Sequence, residues 1–250
     1  MNMKILSISP PAPFLFEEKV FVDLGILGVD AALEQAGVNV AHLDLLGRKD
    51  YLQAAQNTVG QEKFDAILIT STTPQLPKAF ALLNAIRQVD PSQKVYIGGA
   101  HATLLGILRQ KKIMEFTNGN PSLFANGMQQ QLYNYDPNFK PLESFDRIFV
   151  GEGEDHMLNA LNSSDKWAQM PNVNNIDALP PPARHLVNMD EYKWFLETPN
   201  GNIRGTNVMT QRGCPFHCYF CSGRLDVVNG KSFQTPFSEV RMKSPENAVK

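Results

Sequence analysis

The sequence has few cysteines, and none of them lies before position 214. All three occur close together, as Cys214, Cys218 and Cys221. A disulfide framework uses an even number of cysteines, so three in so short a stretch do not form one. A four-thiolate zinc site needs a fourth cysteine, which the sequence lacks. The cysteines therefore indicate a different kind of site.

The sequence also lacks an excess of charge and a long apolar run. Its formal net charge is −2, which favours neither nucleic acid nor an anionic membrane as a partner. No apolar run approaches the roughly 20 residues that span a bilayer, which predicts no integral membrane segment. The first residues do not have the layout of a signal peptide. Together with clustered reduced thiols, these absences predict a cytoplasmic protein.

The spacing of the cysteines, C-x3-C-x2-C, suits an iron–sulfur cluster, because three thiolates are soft ligands for iron. A four-iron cubane held by three cysteines keeps one iron without a protein ligand, and an open metal position can bind a substrate or cosubstrate. The alternative is a structural zinc site with His217 as the fourth ligand. His217 is adjacent to Cys218, and neighbouring residues in a short loop rarely reach one tetrahedral ion together.

The segment Cys214-x3-Cys218-x2-Cys221, with Phe220 before the last cysteine, resembles the cluster loop of radical S-adenosylmethionine (radical SAM) enzymes. The resemblance implies a 4Fe-4S cluster on the three cysteines, with Phe220 near the adenine of SAM. It also implies that an electron donor such as flavodoxin or ferredoxin reduces the cluster, which cleaves SAM to a 5′-deoxyadenosyl radical. Residues 207–213 are predicted to be a strand that runs into this loop.

Strands alternate with helices in the first part of the chain, which predicts an α/β fold with a doubly wound parallel sheet of five strands. Ligands of such sheets bind at the carboxyl ends of the strands. The predicted strands cover residues 4–9, 38–45, 65–71, 94–99 and 147–150. The predicted helices between and after them cover residues 24–36, 50–63, 77–89, 101–111 and 154–161.

Small, hydroxylated or glycine residues follow most of these strands. Such residues let the backbone approach a broad, flat ligand, although loops after parallel strands are often rich in glycine, serine and proline in any case. The candidate cofactor-binding residues in these loops are Pro10, Pro11, Ser71, Thr72, Thr73, Gly98, Gly99, His101, Gly151, Glu152, Gly153 and Glu154.

The order of these loops resembles the cobalamin-binding, flavodoxin-like domain that precedes the barrel in B12-dependent radical SAM enzymes. The signature D-x-H-x-x-G is absent, which implies cobalt without a histidine as lower ligand. His101 could line the corrin, or it could be a histidine at a helix start that the backbone satisfies. Glu152 and Glu154 could accept hydrogen bonds from cobalamin, or they could simply favour the start of a helix.

The sequence predicts a cobalamin-binding domain over residues 1–163, a proline-stiffened linker over 164–202 and the beginning of a radical SAM domain over 203–250. Fewer than the roughly 200 residues of a barrel follow the linker, so we expect a truncated barrel and no complete SAM site. Residues 117–144 are expected to form an insertion, either a functional lid over the ligand edge or a loop packed on itself, with the packed loop favoured. Aromatic residues near the end of the linker, Tyr192, Trp194 and Phe195, are expected to pack against both domains; the alternative is that they form part of the substrate mouth.

The leading interpretation is a radical SAM enzyme that uses cobalamin to methylate or rearrange an unactivated carbon of a small-molecule substrate. The cofactors carry this chemistry, so no catalytic side chain is predicted. One alternative is a radical SAM enzyme whose first domain recognises a partner without cobalamin. Another is a non-catalytic cobalamin sensor or carrier. A methylthiotransferase is disfavoured, because it would have further cysteines before Cys214.

Overall fold

The computed structural model describes residues 3–124, 126–137, 139–216, 227–228, 231–232 and 240–248. No helix within these ranges is both long enough and apolar enough to cross a bilayer. Six parallel strands form one sheet, and their order is β2-β1-β3-β4-β5-β6. These strands are β1 (Lys4–Ser9), β2 (Asn39–Asp44), β3 (Ala66–Thr70), β4 (Val95–Gly98), β5 (Arg147–Gly151) and β6 (Trp167–Met170).

Helices cover both faces of the sheet, because its strands carry apolar side chains on both faces. One core lies between the sheet and helices α2 to α6, and it contains residues such as Ile67, Ile97 and Phe139. The second core lies under α1 and α7 and contains Leu68, Tyr96 and Phe149. The helices are α1 (Leu24–Gln35), α2 (Tyr51–Gln61), α3 (Leu76–Val89), α4 (Ala100–Phe116), α5 (Asn126–Tyr135), α6 (Phe139–Leu142) and α7 (Met157–Asn162).

The predicted α/β fold with a doubly wound parallel sheet is confirmed, but the sheet has six strands where five were predicted. The sixth strand, β6, pairs with β5 from Ile148↔Trp167 to Gly151↔Met170. It lies in the segment predicted to be linker. It was missed because it has only four residues and contains exposed Gln169, so it lacks the continuous apolar run of the other strands.

The predicted insertion over residues 117–144 is largely helical and belongs to the domain core. Leu132, Phe139 and Leu142 are fully buried there, whereas Tyr135 is 52% exposed. The prediction of a loop was therefore wrong, because much of the segment is helical and packs into the domain core. Asn and Gln side chains dominate α5 and obscure its apolar face, which is narrow.

The segment after β6 returns along the carboxyl edge of the sheet. Tyr192 packs against Val22, Ile26 and Leu27, and its hydroxyl donates a hydrogen bond to Asp44 at 2.8 Å. The indole of Trp194 contacts the ring of Phe21. Phe195, which was expected to be packed, is 47% exposed in a hairpin of two antiparallel strands, β7 (Phe195–Thr198) and β8 (Gly201–Arg204).

The strand predicted before the cluster loop is shorter than expected. Only β9 (Gln211–Arg212) is extended and paired, and its partner is antiparallel β12 (Arg241–Met242), whereas barrel strands pair in parallel. Between them, β10 (Val227–Val228) pairs with β11 (Lys231–Ser232). The described part of the chain ends with a short helix, α8 (Pro245–Ala248).

Candidate cofactor site

A cavity of about 400 Å³ opens at the carboxyl ends of β3 to β6, on the face that α1 and α7 cover. Side chains alternate along a strand, so Gly98 lies on the same face as Tyr96, and Gly151 lies on the same face as Phe149. Both strands thus end in a glycine where the packed face would otherwise continue. The missing side chain of Gly98 leaves part of this space, whereas a side chain at Gly151 would run into the backbone of β6.

The wall of the cavity is mainly apolar, and its size is that of a ligand pocket. Helix α1 contributes Ile26 and Val29, and α7 contributes Met157. The other lining residues are Gly25, Leu68, Ile69, Thr70, Gly98, Gly99, Ala100, Thr103, Phe149, Gly151, Glu152, Gly153, Glu154, Met170, Met209, Arg212 and Gly213.

Two of the lining glycines are required by the backbone. Gly151 has φ +108°, and a Cβ there would lie 1.9 Å from the carbonyl oxygen of Met170. Gly99 has φ +89°, and its Cβ would lie 2.7 Å from Thr70 Oγ1. Gly98 differs, because a Cβ there would meet only Phe149 Cβ, at an ordinary 3.5 Å. A side chain at Gly98 is therefore sterically allowed by the protein and would extend toward the cavity.

Residues 209–213 cover one side of the cavity and connect it to the cysteine segment. Arg212 forms ion pairs with Glu154 and, at 3.3 Å, with Glu152. Its partner across the strand pair, Arg241, donates two hydrogen bonds to Glu152, at 2.6 and 2.7 Å. All four side chains are at most 12% exposed. These ion pairs thus hold residues 209–213 against the loop after β5.

The charges in this cluster control the protonation of its members. Burial would raise the pKa of Glu152, but hydrogen bonds from Arg241 and the amide of Val173, with the charges of both arginines, outweigh it and lower the pKa. Burial would lower the pKa of Arg212, but its bond to Glu154 and the two carboxylate charges raise it. Both groups are therefore ionised at neutral pH.

Cys214 follows the cavity wall directly, because Gly213 is a lining residue. Gly213 has φ +81°, so the chain turns sharply just before the cysteine. The thiol of Cys214 is exposed and free. Cys218, Phe220 and Cys221 lie outside the described residues, and the described residues alone contain no group of three potential metal ligands. The predicted three-cysteine site therefore stays a prediction.

The loops after β1 and β3 bond to one another and do not line the cavity. Gln75 donates a hydrogen bond to the carbonyl of Pro10 at 3.0 Å, and Pro11 is buried beside it. Ser71 is buried, and its carbonyl oxygen accepts a hydrogen bond from the backbone amide of His101. Thr72 and Thr73 are exposed at the same edge of the sheet.

His101 is buried at the start of α4, and the ring is outside the cavity wall. Its Nδ1 is 3.0 Å from Thr73 Oγ1, and its backbone amide is satisfied by Ser71. Burial lowers the pKa of His101, so the ring is neutral at neutral pH. Nε2 is buried and has no hydrogen-bond partner among the described residues. The geometry agrees with the helix-start alternative for its backbone.

The structure brings half of the candidate loop residues to the cavity, where they lie within one continuous wall: Gly98, Gly99, Gly151, Glu152, Gly153 and Glu154. Glu152 and Glu154 pair with arginines, which is neither of the two roles considered from the sequence. Sequence reasoning missed the contributions of α1, of the methionines and of Arg212. A signal for Arg212 existed, since it stands directly before Gly213-Cys214.

The chain is similar to known proteins in sequence and in fold. Residues 18–114 match a family model described as the B12 binding domain. An uncharacterised methyltransferase of Pyrococcus horikoshii is 24% identical over 273 residues, which cover 99% of this chain and 52% of that protein.

Two solved structures of TsrM, a radical S-adenosylmethionine methyltransferase from Kitasatospora setae, share the fold with a TM-score of 0.54 each. One has a tryptophan substrate and the SAM analogue aza-SAM bound; it is 12% identical, and the match covers 99% of this chain and 44% of that one. The other has cobalamin and a 4Fe-4S cluster bound; it is 13% identical, and the match covers 100% and 46%. This chain spans about half the length of the proteins it matches. The resemblance expected from the sequence is thus confirmed: the chain has a segment that matches the B12-binding domain, and it shares the fold of a cobalamin- and cluster-binding radical SAM methyltransferase.

Proposed function

We propose that this chain binds cobalamin at the carboxyl edge of its sheet and a 4Fe-4S cluster at Cys214, Cys218 and Cys221, as part of a radical SAM enzyme that methylates an unactivated carbon. The observation that carries the proposal is the continuity of the two sites. The wall of the glycine-lined cavity ends at Gly213, and the next residue is the first cysteine.

The residues of the cavity suit part of a cobalamin. The cavity wall is mainly apolar, and Gly98 presents no side chain to the space that it encloses. An apolar portion of the cofactor would lie against Ile26, Val29 and Phe149. The cavity is smaller than the whole cofactor, so the remainder would rest on the loops that follow the strands.

The donor set of the cysteine segment suits an iron–sulfur cluster, because three thiolates satisfy three irons of a cubane and keep the fourth open. When bound, the cluster supplies the electron that cleaves SAM, and cobalamin supplies a methyl group. The chain's own contribution is to place the two sites side by side.

The remaining parts of the proposal follow from this chemistry. The enzyme would need a one-electron donor such as flavodoxin or ferredoxin and a small-molecule substrate, and it would work in a reducing cytoplasm.

The test uses the full-length protein, reconstituted anaerobically with iron, sulfide and hydroxocobalamin. We expect the visible spectrum of a bound corrin, together with reductive formation of 5′-deoxyadenosine from SAM. Cys218→Ala should abolish that formation while corrin binding persists. An unchanged yield in Cys218→Ala would reject the cluster assignment. Cleavage of SAM without corrin binding would favour an enzyme whose first domain does not use cobalamin, and corrin binding without SAM cleavage would favour a sensor or carrier.

A further inference from the structure

The strand pair that leads into the cysteine segment is electrostatically unfavourable on its own. Arg212 of β9 and Arg241 of β12 stand directly opposite each other in its register. Like charges in directly opposed positions destabilise an antiparallel pair. With only two residues in each strand, few backbone hydrogen bonds compensate for this repulsion. The pair therefore needs negative charge from elsewhere in the chain.

The loop after β5 carries the opposite charge, and its two carboxylates are also unfavourable without partners. Glu152 and Glu154 are two residues apart, and their side chains are only 9% and 5% exposed. Two buried carboxylates without cations would be strongly disfavoured, because a buried charge must be paired. Two arginines and two glutamates balance, so each half of the cluster is stable only when the other is present.

We propose that Glu152, Glu154, Arg212 and Arg241, here called the clasp, are positioning residues that hold the Cys214 segment at the mouth of the cavity. Cys214 is two residues beyond Arg212, and successive Cα atoms are about 3.8 Å apart, so their Cα atoms are at most about 7.6 Å apart. Fixing the guanidinium of Arg212 therefore restricts the cysteine closely. The inference rests on the proposed function in taking Cys214 as a cluster ligand.

The clasp is separate from the apolar cores that stabilise the sheet. Both large cores consist of residues between Ile5 and Met170, and no clasp residue belongs to them. The contacts of Arg212 and Arg241 instead span 58 and 89 residues of the chain, joining the cysteine segment to the loop after β5. Loss of the clasp should release residues 207–213 and leave the sheet intact.

The test compares the wild-type protein with the double variant Glu152→Gln/Glu154→Gln, which keeps side-chain size and removes both negative charges. The matched control is Arg204→Gln. It breaks an ion pair with Asp190 that is largely exposed and lies in the preceding hairpin region, away from the cavity. If the double variant does not fold, Glu154→Gln is used instead. It keeps the Glu152–Arg241 pair and leaves Arg212 only its 3.3 Å ion pair with Glu152, so a smaller acceleration over the same residues is expected.

The first measurement is amide hydrogen exchange on the protein without cofactors. We expect exchange over residues 207–213 to become at least about tenfold faster in the clasp variant, with no change over β3 and no change in the control. Equal exchange over residues 207–213 in wild type and clasp variant would overturn the proposal.

The second measurement is electron paramagnetic resonance of the protein loaded with iron–sulfur cluster and cobalamin, both in their paramagnetic states. We expect the clasp variant to retain iron and cobalt contents within twofold of wild type but to lose the magnetic interaction between the two centres, which Arg204→Gln retains. An unchanged interaction in the clasp variant would overturn the proposal. A wild-type protein that takes up no cobalamin would refute the proposed function, and the exchange measurement would still decide for or against the clasp.

Discussion

A leucine in place of Gly98 is expected to close the cavity without unfolding the domain. Gly98 is the last residue of β4, on the face covered by α1 and α7, and it lines the cavity. An added Cβ would lie 3.5 Å from Phe149 Cβ, which is an ordinary contact. The rest of the side chain would then extend into the space of about 400 Å³.

The expected magnitudes follow from this geometry. Replacing a glycine in a compatible backbone conformation stabilises a fold by about 0.4–1 kcal/mol, and each newly buried methylene adds up to about 0.8 kcal/mol. The free energy of unfolding should therefore rise by at least about 0.4 kcal/mol. A cofactor that must share the cavity with the new side chain should lose about 1–3 kcal/mol through overpacking, which corresponds to binding weaker by about 5- to 140-fold.

The assay is a titration with hydroxocobalamin followed by its visible spectrum, paired with denaturant unfolding of the same protein. Gly60→Leu is the matched control, because Gly60 is exposed on α2 and a Cβ there would meet only Val89 Cγ1, at 3.7 Å. Gly60→Leu should bind cobalamin like wild type. Equal affinity in a folded Gly98→Leu variant would refute the assignment of the cavity to cobalamin.

Three further predictions concern stability. Gly106→Ala should lower the free energy of unfolding in urea by about 1–3 kcal/mol, because its Cβ would lie 2.3 Å from Val150 Cγ2; no change would refute the tight packing of α4 on β5. The folded pKa of Glu152 is depressed, so its contribution to stability is complete above the ordinary value of 4.5 and is lost as the pH falls through the lower folded value. Unfolding of Glu152→Gln measured against pH should therefore show a shallower loss of stability in that acid range than wild type, and identical profiles would contradict the ion pair. Tyr192→Phe should cost about 1.5 kcal/mol in thermal or denaturant unfolding by removing the hydrogen bond to Asp44, and a neutral result would show that this contact does not hold the segment after β6.

The parts of the fold that could be predicted from the sequence are those with strong local patterns. Strand β1 was predicted over its observed range, and β3 was recognisable from its continuous apolar run. Strand β6 and helix α5 were missed because their apolar residues are few and are interrupted by polar ones. Local periodicity has no way to reveal a short edge strand whose burial depends on its neighbour.

The candidate site, like the fold, could be predicted from the sequence only in part. The glycines after β4 and β5 could be placed at the ligand edge, because strand order alone brings those loops together. The ion pairs of Arg212 and Arg241 could not be predicted, since their partners are 58 and 89 residues away and the sequence alone does not pair them. Glu152 and Glu154 were recognised as acidic residues beside glycine, but their role depends on which cationic side chains the fold places next to them.

Metal analysis of the anaerobically reconstituted protein tests the central claim most directly, because it measures both proposed cofactors in one sample. We predict about four irons and about one cobalt for each chain, with the iron lost and the cobalt retained in Cys214→Ala. One zinc for each chain with no iron, or iron without any cobalt, would contradict the account.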